Sequence, residues 1–145
     1  GQGVVVGVID TGVNYNHVDL KDVMWTHPDF PHHGYDFVNN DNDPIDDHRH
    51  GSHCAGIVAG TGAGNFQTGV APKAEIMALK GLDSTGSGRE SWIFGALEFG
   101  GEYKADVLSL SLGWTLQANP SKAVWRDIMD NLLSAGVVVS VAAPP

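Results

Sequence analysis

The sequence predicts an α/β fold of three layers, in which a mainly parallel β-sheet carries helices on both faces. Short runs of β-branched, apolar residues are typical of strands that are covered on both faces, as in a parallel sheet. Such runs alternate with helical patterns along the 145 residues of the chain. This alternation favours right-handed connections between neighbouring parallel strands.

Four segments have the composition of buried strands. The first covers residues 4–9, reads Val-Val-Val-Gly-Val-Ile, and stops abruptly at the turn sequence Asp10-Thr11-Gly12. The others cover residues 75–80, 107–112 and 137–141. A shorter strand is predicted around residues 35–38, within a polar stretch from residue 14 to residue 49. The acidic part of that stretch, residues 39–47, is interpreted as a solvated loop.

Three helices are predicted between these strands. Residues 50–60 are mostly small, and because each glycine costs about 1 kcal/mol of helix propensity against alanine, this helix needs close packing. Residues 89–100 have apolar side chains at helical spacing. A third, amphipathic helix is predicted to begin at Pro120 with Asn119 as its N-cap. Gly136 fits the position that closes it.

Charge and composition exclude some classes of function. The chain has 17 Asp and Glu against 8 Lys and Arg, which gives a formal net charge of −9. A phosphate backbone would be repelled, so no nucleic acid is expected among the partners. No basic cluster would hold an anionic membrane, and no apolar run reaches the ~18 residues of a membrane span. Cys54 is the only cysteine, so no internal disulfide can form.

Asp10 and His50 are the candidate catalytic residues. Sites in open α/β sheets lie beyond the carboxyl ends of the strands. Asp10 ends the first predicted strand and His50 begins the first predicted helix, so both can reach the same edge. A carboxylate that orients a histidine ring forms two thirds of a nucleophilic triad. Considered singly, each residue is more often structural, the Asp as a turn or cap residue.

Five motifs, in order along the chain, outweigh that structural interpretation. They are Val8-Ile9-Asp10-Thr11-Gly12-Val13 with His17-Val18-Asp19-Leu20, then Asp43 to Gly56, Gly69-Val70-Ala71-Pro72, Ser87-Gly88 with Ser91-Trp92-Ile93, and Ser109-Leu110-Ser111-Leu112-Gly113. Together they resemble the subtilisin-like serine protease family, the subtilases. The resemblance identifies residues 1–145 as part of one subtilisin-like peptidase domain, the N-terminal part of a truncated catalytic domain.

The resemblance implies a serine-type endopeptidase with an Asp-His-Ser triad. Asp10 would orient the imidazole of His50, and His50 would act first as general base and then as general acid. Ser87 and Gly88 on one side, with Ser111-Leu112-Gly113 on the other, would pair with the backbone of a polypeptide substrate as an added strand. The resemblance also implies that the protein is secreted and extracellular.

The resemblance implies no cofactor for catalysis, and no metal ligand is assigned. A structural calcium ion is compatible with it, since Asp19 matches a position that can be a calcium ligand in the family. Calcium takes 6–8 oxygen ligands. The partner loop around Asn65 is short, so no calcium site is specified.

The sequence departs from the family pattern after the last predicted strand. Relatives place there an Asn that donates to the oxyanion, whereas Ala142-Ala143 is followed here by Pro144-Pro145, and proline has no N–H to donate. No Gly-Thr-Ser-Met-Ala segment, which carries the family's nucleophile, occurs in the 145 residues. Without a nucleophile no acyl-enzyme forms. We therefore expect this chain to be inactive unless a C-terminal fragment complements it, with exposed apolar surface near residues 137–141.

Two other interpretations and one hypothesis on specificity stay open. A non-catalytic peptide-binding fragment, or pseudo-peptidase, would use the same substrate-lining segments. A metal-dependent hydrolase would use His48, His50 and His53, because zinc sites often contain histidine clusters. Finally, Glu90 stands where relatives often place an aromatic or apolar residue that lines a specificity pocket, and a glutamate that lines such a pocket would favour basic or polar substrate side chains.

Overall fold

The computed structural model describes residues 1–65, 67–114 and 118–143, which form three helices and a five-stranded sheet. In chain order the elements are β1 (Val5–Asp10), β2 (Gly34–Asp36), α1 (His50–Ala59), β3 (Glu75–Lys80), α2 (Glu90–Glu102), β4 (Val107–Leu110), α3 (Lys122–Ser134) and β5 (Val138–Val141). The strand order is β2-β3-β1-β4-β5, and all pairings are parallel. The predicted fold class is confirmed.

Each face of the sheet carries its own hydrophobic layer. Val6 and Val8 of β1 pack with the small residues Ala55 and Ala59 of α1 on one face. Ile9 points to the opposite face and belongs to a cluster of larger side chains from β4, α2 and α3, among them Leu97, Leu108 and Leu132. Helices therefore cover both faces of the sheet, as the strand composition predicts.

Alternation along β1 and β3 decides where the polar strand ends point. Side chains two residues apart share a face of a strand. Asp10 therefore lies on the same face as Val8, and Lys80 on the same face as Ala78, which is the face that α1 covers. Asp10 and Lys80 are register partners, and each is 1% exposed. Two buried charged residues thus lie side by side at the carboxyl edge of the sheet.

The start of α3 was predicted wrongly. The helix begins at Lys122 with Ser121 at the N-cap, not at Pro120 with Asn119 as the cap. The N–H of Ser121 donates to Oε2 of Glu90 at 3.0 Å, and this contact with α2 fixes the chain before the helix begins.

The other ends of these elements agree more closely with the prediction. Gly136 follows α3 with a φ of 80°, and its N–H donates to the carbonyl of Leu133 at 3.0 Å, which confirms its closing role. Strand β4 stops at Leu110, two residues before the predicted end.

Strand β5 forms one edge of the described sheet and leaves apolar side chains in solvent. Val138 is 62% exposed and Val141 is 50% exposed, and Leu133 of the adjoining α3 is 75% exposed. The predicted exposure of apolar surface is therefore found at Val138 and Val141, whereas Val137 is buried. Among the described residues, no helix is long and apolar enough to cross a lipid bilayer.

Candidate active site

Asp10 and His50 meet at the carboxyl edge of the sheet. Nδ1 of His50 lies 2.8 Å from Oδ1 and 2.9 Å from Oδ2 of Asp10. The aspartate side chain is 1% exposed, whereas the imidazole is 46% exposed. Because an ionised carboxylate only accepts hydrogen bonds, Nδ1 carries the proton of this bond. The other ring nitrogen, Nε2, is then the one available to exchange a proton with a reacting group.

Backbone contacts fix the carboxylate and the residue that bears it. The N–H of Thr11 donates to Oδ1 of Asp10 at 2.7 Å. The backbone carbonyl of Asp10 accepts from the N–H groups of Gly81 and Leu82 at 2.9 and 3.0 Å. The end of β1 is therefore tied to the segment that follows β3. These backbone contacts orient the carboxylate of Asp10 independently of His50.

Asp46 organises the turn that leads into α1. Its carboxylate accepts from the hydroxyl of Ser52 at 2.6 Å and from the backbone N–H groups of His48, Arg49 and Ser52 at 2.9, 3.0 and 3.0 Å. Burial alone would raise the pKa of Asp46, but these hydrogen bonds outweigh it and hold the pKa below its ordinary value. The Arg49 N-cap has no side-chain bond of its own, so Asp46 supplies the capping acceptor.

Thr11 and Gly51 join that turn to the end of β1. The hydroxyl of Thr11 donates to Oδ1 of Asp46 and accepts from the N–H of Gly51, both at 2.9 Å. A Cβ atom at Gly51 would lie 2.0 Å from the carbonyl oxygen of Gly12. A side chain is thus excluded at this position, and glycine lets the first turn of α1 approach β1 closely enough for His50 to reach Asp10.

A cleft of about 600 Å³ opens beside His50. The predicted substrate-binding residues all line it, with Ser87 and Gly88 in the segment before α2 and with Ser111, Leu112 and Gly113 just beyond the end of β4. The structure therefore brings the two predicted segments and His50 to one cleft. Their role in binding a substrate stays a prediction.

Glu90 also lines the cleft, but its carboxylate is engaged. Oε2 accepts from Nε1 of Trp125 at 2.6 Å and from the N–H of Ser121 at 3.0 Å. Trp125 in turn stacks on Trp114 with ring centroids 5.0 Å apart. This geometry makes Glu90 a support for an aromatic wall, and it does not favour the hypothesis that Glu90 attracts basic side chains.

Cys54 is a member of the site that sequence reasoning missed. Its Sγ lies 3.8 Å from Nδ1 of His50, as expected for residues four apart on a helix. Burial raises the pKa of the Cys54 thiol; a hydrogen bond with Ser111 opposes the rise, and the negative charge of Asp10 adds to it. The thiol is therefore held in its neutral form, which is a poor nucleophile. Spacing on the helix was the signal that could have identified this residue.

The structure does not bring the predicted histidine cluster together as a metal site, and it does not test calcium binding at Asp19. Within the described ranges, the one group of three potential metal-ligand side chains is Asp10, His50 and Cys54, which does not include His48 or His53. The geometry thus gives no support to a His48-His50-His53 zinc site. Asp19, which is outside that group too, accepts from the N–H of Gly64 at 2.7 Å. Calcium binding there stays a prediction.

Pro144 and Pro145, which replace the expected oxyanion donor, lie outside the described residues. The described part of the site nevertheless has a recognisable character. A buried carboxylate that orients a half-exposed imidazole, at the edge of a parallel sheet and beside an open cleft, is typical of hydrolases that use a side-chain nucleophile.

Comparison with known proteins identifies the family. The Subtilase family model matches residues 1–143. The chain belongs to the subtilase family, which confirms the resemblance predicted from the five motifs.

Individual relatives agree with this assignment. Subtilisin E of Bacillus subtilis (strain 168) is 37% identical over 144 residues, which cover 99% of this chain and 34% of that protein. The minor extracellular protease Vpr of the same organism is 41% identical over 147 residues, which cover 95% of this chain and 17% of that protein. The crystal structure of a cold adapted subtilisin-like serine proteinase matches with a TM-score of 0.80 and 32% identity, over 98% of this chain and 46% of that one. The chain therefore spans less than half the length of each.

Proposed function

We propose that this chain supplies the acid–base pair and the substrate cleft of a subtilisin-like serine endopeptidase. The observation that carries the proposal is the 2.8 Å contact between Nδ1 of His50 and Asp10 at the mouth of the cleft. Family membership supports the same chemistry.

In the proposed reaction, a serine hydroxyl from outside residues 1–145 attacks the carbonyl carbon of the scissile peptide bond. Nε2 of His50 takes the serine proton as the C–O bond forms, and the imidazolium then returns that proton to the leaving amine as the C–N bond breaks. Asp10 keeps the proton on Nδ1 and stabilises the imidazolium through its negative charge. A water molecule releases the acyl group in the second half of the reaction by the same proton transfers.

The proposed substrate is an extended polypeptide that lies between the two cleft segments. Ser111, Leu112 and Gly113 continue past the last paired residue of β4, so they can offer backbone groups to an added strand. Ser87 and Gly88 face the same space from the other side. A strand bound in this way would hold its scissile bond beside His50.

Further parts of the proposal concern the remainder of the protein. We propose that residues 1–145 alone do not hydrolyse peptides and that a C-terminal fragment with the serine would restore activity. Secretion is proposed on family membership and on the extracellular relative named above. A structural calcium ion is proposed on resemblance alone, and metal analysis of the purified protein tests it.

The test replaces each histidine of α1 in the full-length chain that contains the nucleophile. His50→Ala is expected to lower kcat for peptide hydrolysis by about 10⁴-fold or more, because the general base is lost. His53→Ala is the matched control: it lies three residues away on the same helix, is exposed and does not line the cleft. Equal turnover by the two variants would contradict the proposal.

A second candidate function is peptide binding without cleavage. The observation in its favour is that both cleft segments are present within the described residues and line one open cleft. Calorimetric titration of the full-length chain with a substrate-like peptide, followed by mass spectrometry of that peptide, separates the two functions. Heat of binding with an intact peptide favours the binding function, and binding followed by cleavage favours the peptidase.

A further inference from the structure

Lys80 is a buried cation that the proposed chemistry leaves without a role. It ends β3, is 1% exposed, and lies beside Asp10 as its register partner. Taking an ammonium group out of water is expensive unless the charge is paired and hydrogen-bonded. An apolar residue of similar volume would avoid that cost, so the ammonium group calls for an explanation.

The ammonium group is fully hydrogen-bonded. Nζ donates to the carbonyl of Thr11 at 2.6 Å, to Oδ1 of Asp47 at 2.7 Å and to the carbonyl of Leu82 at 2.9 Å. An ammonium group has three donors, and each of them has an acceptor here. The side chain is therefore held in one place by partners from three different segments.

Those three segments are the parts of the candidate active site. Thr11 directly follows Asp10, and Asp47 stands three residues before His50. Leu82 lines the cleft and begins the segment that reaches Ser87 and Gly88. A single side chain thus connects the aspartate, the loop that bears the histidine and one wall of the cleft.

The ion pairs also connect the ends of β1 and β3 to the loop that bears His50. Within the described residues, two pairs have nitrogen and oxygen atoms within 4.0 Å: His50 with Asp10, and Lys80 with Asp47. Both join the carboxyl edge of β1 and β3 to the short stretch from residue 47 to residue 50. Asp47 is 47% exposed and Lys80 is 2% exposed at their side chains, so a surface loop is held down onto a buried cation.

We propose that Lys80 is a positioning residue, which acts through Asp47 to hold the His50 loop against Asp10. Through Leu82 it also fixes the cleft wall that carries Ser87 and Gly88. This inference rests on the proposed peptidase function for its kinetic consequence, but the position of the His50 ring can be measured without any turnover.

The kinetic test uses Asp47→Asn in the full-length chain, with kcat expressed per active site from titration with a covalent serine reagent. The variant keeps the shape of the side chain and an oxygen that can accept from Nζ of Lys80, but it removes the negative charge that strengthens this bond. The two carbonyl contacts of Lys80 stay in place. We expect kcat to fall on the order of 10-fold, below the ~10²-fold that a 1 Å misplacement costs, while KM changes by less than about 2-fold. Asp22→Asn, at an exposed aspartate that does not line the cleft, is the control.

Lys80→Met extends the test to the cleft wall. It removes the contact with Leu82 as well, so we expect KM to rise in addition to the fall in kcat. Adding Asp47→Asn to Lys80→Met should lower kcat no further, because residues that act through one contact are not additive. If Lys80→Met fails to fold, Asp47→Asn still decides the question.

The structural test follows the Nδ1 proton of His50 by nuclear magnetic resonance. In the wild-type chain and in Asp22→Asn, we expect one downfield proton signal that exchanges slowly with water, since that proton is bound to Asp10. In Asp47→Asn, we expect exchange at least about 10-fold faster, because the loop opens more often. Unchanged exchange together with unchanged kcat per active site overturns the inference, whereas an inactive wild-type chain with faster exchange in the variant overturns only the proposed function.

Discussion

Helices α1 and α3 pack against the same sheet but are held by different kinds of contact. The buried residues of α1 are all small, namely Gly51, Ala55 and Ala59, whereas α3 buries the larger Ile128 and Leu132. The entry to α1 is fixed by a charged side chain, Asp46, and by Thr11 and Gly12, which directly follow β1. The start of α3 is held instead by Glu90 of α2, which accepts from the N–H of Ser121 at 3.0 Å.

This difference in contacts implies that the position of α1 is fixed more narrowly than that of α3. Apolar packing tolerates small shifts, because the hydrophobic effect is not directional. Hydrogen bonds and backbone contact have narrow geometry. The start of the helix that carries His50 is therefore placed by directional contacts with the end of β1, whereas α3 packs on the sheet through apolar side chains and makes its hydrogen bonds with Glu90 of α2. Changes at the start of α1 should accordingly have larger effects than comparable changes on α3.

The largest effect on stability is expected from Gly51→Ala. The new Cβ would lie 2.0 Å from the carbonyl oxygen of Gly12, and backbone cannot move aside as a flexible side chain can. We expect the free energy of unfolding to fall by about 3 kcal/mol or more, at the upper end of overpacking effects. Denaturation by urea measures it.

Gly56→Ala is the matched control on the same helix. A Cβ at Gly56 meets no atom within 4 Å. Because alanine is the better helix former, we expect a gain of about 0.5–1 kcal/mol. If both substitutions changed the free energy of unfolding by the same amount, close backbone contact would not be what places α1.

Asp46→Ala should have the next largest effect. It removes the acceptor of the turn before α1, and we expect the free energy of unfolding at pH 7 to fall by about 2 kcal/mol. The pKa of Asp46 is lowered in the folded chain, so its contribution is present above the ordinary value of 3.8 and is lost as the pH falls through the folded value.

Unfolding measured across the acid range checks both parts of this prediction. The difference between the wild-type chain and Asp46→Ala should be largest near neutral pH and should shrink below about pH 4. Asp41→Asn, at an exposed aspartate of the same loop, serves as the control. If the difference in the free energy of unfolding between the wild-type chain and Asp46→Ala grew as the pH fell, the assigned role of the Asp46 carboxylate would be contradicted.

The contrast between the two helices also explains which parts of the structure were predictable from the sequence: apolar packing was, and long-range polar contacts were not. The strands and α3 were predictable because large apolar residues follow the periods of strand and helix. The acidic stretch from residue 39 to residue 47 was interpreted as a solvated loop, yet Asp46 binds Thr11 and Asp47 binds Lys80, at separations of 35 and 33 residues. Charge along a chain does not reveal partners that only the fold brings near.

The same reason accounts for the error at α3. Proline after asparagine is a local signal for a helix start, but the contact between Ser121 and Glu90 joins residues 31 apart and overrides it. The topology of a parallel sheet, which brings a strand end and a helix start to one edge, made Asp10 and His50 candidates, and the five motifs of the family resemblance selected them. Their catalytic role stays a prediction. Lys80, at the end of the neighbouring strand, follows the same rule and was interpreted only as part of a strand.

A smaller effect is expected from Tyr15, whose hydroxyl donates to Asp43 at 2.7 Å on the α1 side of the molecule. Burial, then the hydrogen bond and negative charge of Asp43, raise the pKa of Tyr15 from 10.0 to about 12. The folded chain thus keeps a proton that the unfolded chain loses, so this contribution to stability is full below pH 10 and is lost as the pH rises through about 12.

Absorbance of the tyrosinate band against pH tests this assignment. One of the three tyrosines should ionise near pH 12, and that late step should be missing in Tyr15→Phe. The outcome that counts against the assignment is a late step that survives the substitution.

The smallest effect on stability is expected on the other helix, at Leu133 of α3, which is 75% exposed. Because it contributes little to the core, Leu133→Lys should change the free energy of unfolding by no more than about 0.5 kcal/mol. Its main consequence should be on association, since Leu133 and the exposed valines of β5 together form apolar surface. Sedimentation of residues 1–145 should show less self-association in Leu133→Lys than in the wild-type chain, and Val70→Lys, at an 89% exposed valine outside α3 and β5, should leave association unchanged. Equal relief by both variants would mean that net charge, and not this apolar surface, governs association.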